Sequence, residues 1–227
     1  MFTPVGVPSL DDLLGGGVEH GCLSLTYGEA GSGKTNLCLQ VGRNVARSGK
    51  KAIYIDTEGL STERLRQICG SDFHEVVRSF LIFEPYDFVQ QEECIEKAVK
   101  LIENTEEIGV LILDSATTHY RLTKADFEKD ERRSLTRQVN ALVRVARTKE
   151  LPVVLTSQVY TDVEKGTFEP LGGHMLSHNA KMILRLERAG PNRRLATLMK
   201  HRHRPEHGSV LFRIAEAGIV GEEGVSG

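Results

Sequence analysis

The sequence predicts an α/β fold: a mostly parallel central sheet flanked by helices, with an antiparallel extension on its C-terminal side. Three observations carry this. Between residues 21 and 156, short β-rich runs alternate with segments of helical periodicity, the order that builds a parallel sheet through helical crossovers. One run, residues 109–114 (GVLILD), is apolar almost throughout, as befits a strand covered on both faces. After residue 180 the pattern changes to three strand-like runs in which turn composition replaces helix.

Each element has a local reason. Residues 21–27 (GCLSLTY) form a short β-rich run that passes at once into a Gly-rich loop. Residues 35–47 read as a helix because Leu37, Val41 and Val45 recur at four-residue spacing, and Ser48-Gly49 ends it. Residues 51–56 (KAIYID) are a buried strand, 62–69 a short helix, and 80–83 (FLIF) a strand closed by Glu84-Pro85. Ile95, Ala98, Val99 and Ile102 give the next segment one apolar helical face. Residues 131–149 repeat that logic with Leu135, Val139, Leu142 and Ala146, and 151–156 (LPVVLT) is the following strand. Residues 181–188, 193–201 and 209–214 are strand-like, the first two joined by Ala189-Gly190-Pro191-Asn192.

Composition narrows the function classes. With 227 residues, 40% hydrophobic and 26% charged, the chain supports a globular core without staples. No apolar run approaches a membrane span, and the N-terminus has no secretory pattern, so a cytoplasmic protein without membrane contact is expected. Cys22, Cys38, Cys69 and Cys94 form no C-x-x-C pair, which disfavours a zinc or redox centre. His201, His203 and His207 alternate with Arg202 and Arg204, which would repel a metal ion. The net charge of −2 hides a strong asymmetry. Residues 181–213 hold nine basic residues against two acids, a net of +7, which leaves −9 for the remainder. Such a chain can hold an anion on one side while its average stays near neutral.

Gly28-Glu29-Ala30-Gly31-Ser32-Gly33-Lys34-Thr35 fits G-x-x-x-x-G-K-[ST], and it stands between a strand and a helix, where that spacing has meaning. Glycines let the backbone wrap phosphate with its N–H groups turned inward, and the helix N-terminus adds its dipole. Lys34 would reach the β- and γ-phosphates, and Thr35 would offer a hydroxyl to Mg2+. ATP with Mg2+ is the expected ligand pair. Asp114 ends its apolar strand, where a Walker-B carboxylate holds magnesium directly or through water. Glu58, two positions past Asp56 at a strand end, can orient and deprotonate an attacking water. Gln158 ends LPVVLTSQ and can hydrogen-bond a γ-phosphate. For Glu58 and Gln158, a solvated polar residue at a strand end fits the spacing equally well.

YGEAGSGKTNL, YIDTEG, VLILDSATTHYR, VVLTSQV and PLGGHMLSH, after an opening SLDDLLGGGVEHG, occur in the order of the RecA/RadA recombinase ATPase core. The chain resembles that family over nearly its whole length. The resemblance implies a RecA-like P-loop ATPase core over residues 1–220, with 221–227 a flexible tail. It implies that Glu58 is the catalytic carboxylate, Asp114 the Walker-B acid and Gln158 the γ-phosphate sensor, with DNA-facing loops after Ser115 and Gln158. Two departures matter. Full recombinases of the family carry a helical DNA-binding domain and a Phe-x-x-Ala tether before the core, whereas here the core motifs begin within the first residues. Residues 159–171 are also short for a strand-exchange loop. The chain is thus more similar to the family's core-only archaeal paralogues. That similarity implies an accessory of DNA repair and homologous recombination that binds ATP and DNA, hydrolyses ATP weakly and performs no strand exchange itself.

Charge points to the DNA candidates. Lys200, His201, Arg202, His203 and Arg204 form the densest basic cluster, suited to phosphate contacts that weaken steeply with salt. Alternatively, Lys200 and Arg202 reach the γ-phosphate on an adjacent protomer, or the segment is a solvated strand end. Arg121, with Lys124, resembles the family's first DNA loop, though Asp126, Glu128, Asp130 and Glu131 dilute its charge. Gly172-Gly173 is expected to give the second loop a mobile end. Arg133, Arg137, Arg144 and Arg147 lie away from the apolar stripe of helix 131–149, a solvated face as readily as a DNA contact. Aromatic residues make up only 6%, with no Trp, so backbone contacts are expected over base stacking. The competing function is a nucleotide-switched interaction module. In it, residues 84–107, with eight acids against two lysines, dock a RadA-type recombinase or a branched-DNA nuclease and DNA contact is incidental. A homo-oligomer, as a dimer, is the expected assembly. A hexameric motor is disfavoured because the additional domain of a replicative helicase is lacking.

Overall fold

The alternating runs assemble around one nine-stranded sheet, seen in a computed structural model that describes residues 1–120, 128–162 and 167–222. β1 (Phe2–Thr3) and β2 (Val18–Glu19) make a small antiparallel ribbon on either side of α1 (Pro8–Leu13). β3 (Leu23–Gly28) leads through the Gly-rich loop into α2 (Lys34–Arg47) and β4 (Lys51–Asp56). α3 (Thr62–Cys69), the short α4 (Phe73–Val76) and β5 (Phe80–Phe83) follow. α5 (Phe88–Asn104) precedes β6 (Ile108–Asp114), and α6 (Glu128–Lys149) precedes β7 (Val153–Ser157). β8 (Val159–Asp162) and β9 (Thr167–Pro170) pair as a separate hairpin before α7 (Gly173–Asn179). The chain then returns to the sheet as β10 (Met182–Gly190), β11 (Arg193–Lys200), β12 (Ser209–Ala215) and β13 (Gly218–Gly221).

Strand order is β13-β12-β11-β10-β3-β7-β6-β4-β5. From β10 to β5 every pairing is parallel, and from β10 to β13 every pairing is antiparallel. The expected architecture is therefore present, with the parallel strands presenting their C-terminal ends along one edge. Because β11 runs back along β10, Arg194 pairs with Arg188 at that edge, while Lys200 pairs with Ile183 at the opposite one. This register decides where the basic residues stand.

Helices cover both faces. Leu37, Cys38, Val41 and Val45 of α2 pack one core with Tyr54, Val110 and Ile112 of the sheet. Ile95, Ala98, Val99 and Ile102 of α5 join Leu135, Val139, Leu142 and Ala146 of α6 in the other. Asp87 caps α5 by accepting from the Gln90 N–H at 2.8 Å, and Ser61 caps α3 through the Arg64 N–H. Among the described residues no helix is long and apolar enough to cross a membrane.

Within the segment 159–171, expected as a short loop, Val159–Asp162 and Thr167–Pro170 pair instead as the β8–β9 hairpin. It is closed at its base by Leu171 N–H donating to the Gln158 carbonyl at 2.8 Å. The sheet runs to Gly221 through β13, taking in the first residue of the expected tail, whose last five residues lie outside the described ones. α6 begins at Glu128, three residues before the expected start. The ribbon strands, α1 and α7 are too short to show a period in sequence.

Candidate nucleotide site

The loop between β3 and α2 is shaped by two glycines. A Cβ on Gly28 would stand 2.2 Å from the Leu186 carbonyl oxygen, so β3 can lie this close to β10 only with glycine there. Gly33 caps α2 at φ 107°, a left-handed conformation that side chains disfavour. Lys34 opens the helix as a buried residue, its ammonium donating to the carbonyls of Gly28 (2.9 Å) and Glu29 (3.0 Å). Burial draws its pKa down, and the charges of Glu58 and Asp114 oppose that.

Asp114 ends β6 under the loop and is 2% exposed. It accepts hydrogen bonds from the Tyr54 hydroxyl at 2.7 Å and the Thr156 hydroxyl at 2.5 Å. Burial pushes its pKa up, while hydrogen bonds from Thr156, Tyr54 and Thr35 pull the other way. The two residues expected at magnesium, Thr35 and Asp114, are thus brought together. A hydroxyl and a carboxylate suit Mg2+, which keeps water and phosphate oxygens as its remaining ligands. No cluster of three His, Cys, Asp or Glu able to hold a metal exists among the described residues. Ser32 adds a buried hydroxyl without a hydrogen-bond partner in the same loop, a polar group that a bound phosphate chain can satisfy.

The expected catalytic pair also meets. Gln158 Nε2 donates to Glu58 Oε1 at 2.9 Å, and the Thr118 hydroxyl donates to the same oxygen at 3.2 Å. Position comes from beneath. The buried Asp56 carboxylate accepts from three successive backbone N–H groups, those of Glu58 (3.1 Å), Gly59 (3.0 Å) and Leu60, tying the turn that carries Glu58. Thr57 fixes that turn to the end of β6: its hydroxyl donates to the Ser115 carbonyl at 2.9 Å and accepts from the Ser115 N–H at 2.8 Å. The peptide bond between Asp114 and Ser115 is cis.

Gly172 and Gly173, expected as a mobile loop end, start α7 with φ of 86° and 52°. A Cβ on Gly172 would stand 2.8 Å from Leu176 and 3.4 Å from Thr117, so this helix start packs against the segment that follows β6. Arg121 lies outside the described residues. The cluster at Lys200 stands at the other end of the sheet from the loop. There Lys200 donates to the Ser177 carbonyl at 2.9 Å and Arg202 lies 3.5 Å from Glu19, with His203 at 3.9 Å. His201 Nδ1 accepts from the His203 N–H at 3.0 Å, and Arg202, His203 and Arg204 are exposed. On α6, Arg133, Arg137 and Arg144 pair with Asp130, Glu92 and Glu103, the pattern of a solvated face.

Sequence reasoning missed the groups that hold the site. Tyr54, Thr156 and Asp56 are strand residues whose roles depend on which strands adjoin. Two arginines of the antiparallel extension also contact the loop: Arg188 donates to the Ala30 carbonyl and Arg194 to the Gly31 carbonyl, each at 2.9 Å. Both lie in the basic stretch, but only the register of β10 and β11 shows which edge they occupy.

A family profile described as Rad51 matches residues 2–222. A DNA repair and recombination protein RadB from Methanococcoides burtonii is 43% identical over 212 residues, covering 92% of this chain and 93% of that one. RadB of Archaeoglobus fulgidus is 43% identical over 221 residues, with 96% and 98% coverage. A solved structure described as the crystal structure of the RadB recombinase superposes with a TM-score of 0.84 at 37% identity, covering 98% of this chain and all of that one. The chain therefore belongs to the Rad51 family and resembles its RadB members from end to end of the matched region.

Proposed function

We propose that this chain is a DNA repair and recombination protein. In this reading it binds ATP with Mg2+ and DNA, hydrolyses ATP weakly, and assists a recombinase without exchanging strands itself. The observation that carries the nucleotide reading is the convergence of Lys34, Thr35 and Asp114 with the Glu58–Gln158 pair at one edge of the sheet. Bound magnesium would neutralise charge developing on the phosphates. Lys34 would exchange its carbonyl partners for phosphate oxygens. Glu58 has Oε1 occupied by Gln158 and Thr118, which leaves Oε2 to accept the proton of an attacking water. Gln158 links that carboxylate to the β8–β9 hairpin, so loss of a γ-phosphate contact at Gln158 can be read out at the hairpin.

Weak turnover has a physical basis. Among the described residues, the cations bonded to the loop are Lys34, Arg188 and Arg194, and the two arginines are engaged by backbone carbonyls. Among the described residues Lys34 thus offers the phosphates one ammonium, and a neighbouring copy or partner would supply more. DNA contact is assigned to Arg202, His203 and Arg204, which are exposed residues, while Lys200 is spent on Ser177. The interaction-module reading loses support, since Glu92, Glu93, Glu103, Glu106 and Glu107, five of the eight acids in residues 84–107, pair within the chain. A RadA-type recombinase or a branched-DNA nuclease remains the partner class to test.

The test is binding of a fluorescent ATP analogue with Mg2+, together with ATPase rate with and without single-stranded DNA. Wild type should bind, Lys34→Ala should not, and turnover should stay low. Full affinity in Lys34→Ala would sink the nucleotide assignment.

A further inference from the structure

The loop that wraps the phosphates is gripped from outside by the antiparallel extension. Arg188 Nη2 donates to the Ala30 carbonyl at 2.9 Å, and Arg194 Nε donates to the Gly31 carbonyl at 2.9 Å. Arg194 is itself steadied by a bond from Nη1 to the Arg193 carbonyl at 2.8 Å. Residues 188 and 194 are direct cross-strand partners in β10 and β11, so the two guanidiniums come from one rung and meet two successive peptide groups. The fit is close: a Cβ on Gly31 would stand 2.7 Å from Arg188 Nη2.

Peptide geometry gives this contact a consequence. In a trans peptide the carbonyl and the next N–H point in opposite directions. A guanidinium holding the Ala30 carbonyl therefore turns the Gly31 N–H the other way, as a phosphate cradle requires. Without that hold, a loop containing Gly28, Gly31 and Gly33 samples many peptide orientations, and ordering them costs affinity.

We infer that Arg188 and Arg194 are positioning residues for the phosphate chain: they fix the loop's peptide planes and so set nucleotide affinity without touching the reacting atoms. The inference rests on the reading of this loop as the nucleotide site, and the experiment separates the two. Binding of mant-ATP and mant-ADP with Mg2+ is measured for wild type, Lys34→Ala, Arg188→Gln, Arg194→Gln and the double glutamine variant, with the melting temperature of each nucleotide-free protein.

Glutamine is too short to span these contacts and carries no charge. The double variant should lose about tenfold in affinity, roughly 1.4 kcal/mol, for ATP and ADP alike. Its kcat and nucleotide-free melting temperature should stay close to wild type, and an Arg188→Lys/Arg194→Lys variant should recover part of the affinity. If Lys34→Ala loses binding while the double variant binds within twofold of wild type, the positioning role is wrong and the site stands. A loss confined to ATP would also overturn it, because the arginines would then be reaching the γ-phosphate. If Lys34→Ala binds normally, the nucleotide site itself has been misplaced and the inference falls with it.

Discussion

Asp56 stands beside Asp114 at the end of the β4–β6 pairing, and it should govern turnover through Glu58. Its two carboxylate oxygens hold the N–H groups of Glu58, Gly59 and Leu60, the turn from which Glu58 projects. Asp56→Asn keeps the size of the side chain and removes the charge. The amide can offer one acceptor oxygen to Glu58 and Gly59, where Oδ1 now sits, but it then sets an NH2 group against the Leu60 N–H. Hydrogen bonds to charged groups are worth about 1.5–3 kcal/mol each, and neutral ones about 1 kcal/mol. Glu58 and Gly59 are exposed, so water recovers part of the loss, and a net destabilisation of about 2 kcal/mol follows. For a chain of this size that lowers the melting temperature by about 4–8 °C. The functional effect is more specific. A reoriented turn withdraws Glu58 from Gln158 and Thr118, so kcat should fall at least about tenfold while mant-ATP affinity stays within about twofold. Thermal melts, nucleotide titration and steady-state ATPase on one preparation give all three numbers. Unchanged turnover at reduced stability would refute the argument that Asp56 acts through Glu58, and lost affinity with normal kcat would refute it equally.

Three further expectations rest on separate contacts. Glu58→Gln should cut kcat by about a hundredfold or more, the lower range for a lost general base, while leaving the dissociation constant of ATP in place; equal turnover would mean another group activates the water. Arg202→Ala with Arg204→Ala should weaken binding of a labelled single-stranded oligonucleotide and flatten its log–log salt dependence by about 1.4, near 0.7 per phosphate contact; an unaltered slope removes DNA from this segment. Burial raises the Asp114 pKa above the ordinary carboxylate value, so stability linked to its protonation is complete below that value and is lost as pH climbs through the raised one. At neutral pH the ionised carboxylate therefore costs stability, and Asp114→Asn should melt higher than wild type without nucleotide, the gap closing toward acid pH, while Mg2+-dependent ATPase is lost. A variant melting lower at neutral pH would show that the bonds from Tyr54 and Thr156 outweigh desolvation.

Local rules made part of this molecule legible. The loop at Gly28–Thr35 is readable because its chemistry is contiguous, and Asp114 because an acid closing a seven-residue buried strand is costly unless it is used. Apolar periodicity located α2, α5 and α6 for the same reason: each buries one face against the sheet. The β8–β9 hairpin was not legible, since its closure depends on Leu171 reaching back to Gln158, a contact that composition does not encode. Nor were Arg188 and Arg194. The basic stretch from Lys181 to Arg213 looks uniform in sequence, but the β10–β11 register divides it, sending two arginines to the nucleotide edge and the cluster at Lys200 to the far one. Charge counting saw the stretch and missed the division.

That division constrains assembly. The Arg188–Arg194 and Ile183–Lys200 rungs stand five residue steps apart along β10, about 17 Å of strand, so Lys200 and Arg202 cannot serve their own chain's phosphates. They could serve a neighbour's only if the far edge of one copy met the nucleotide edge of the next. Such a contact is heterologous, joining two different surfaces, and it propagates into a ring or a filament instead of closing as a two-fold dimer. A closed dimer, the assembly expected from sequence, is isologous and brings like surfaces together. The two readings of the basic cluster therefore predict different masses in solution. A protein that stays a dimer when saturated with ATP and Mg2+ leaves Arg202 and Arg204 free for DNA, whereas growth of open oligomers that Arg202→Ala abolishes would assign the cluster to the neighbouring nucleotide.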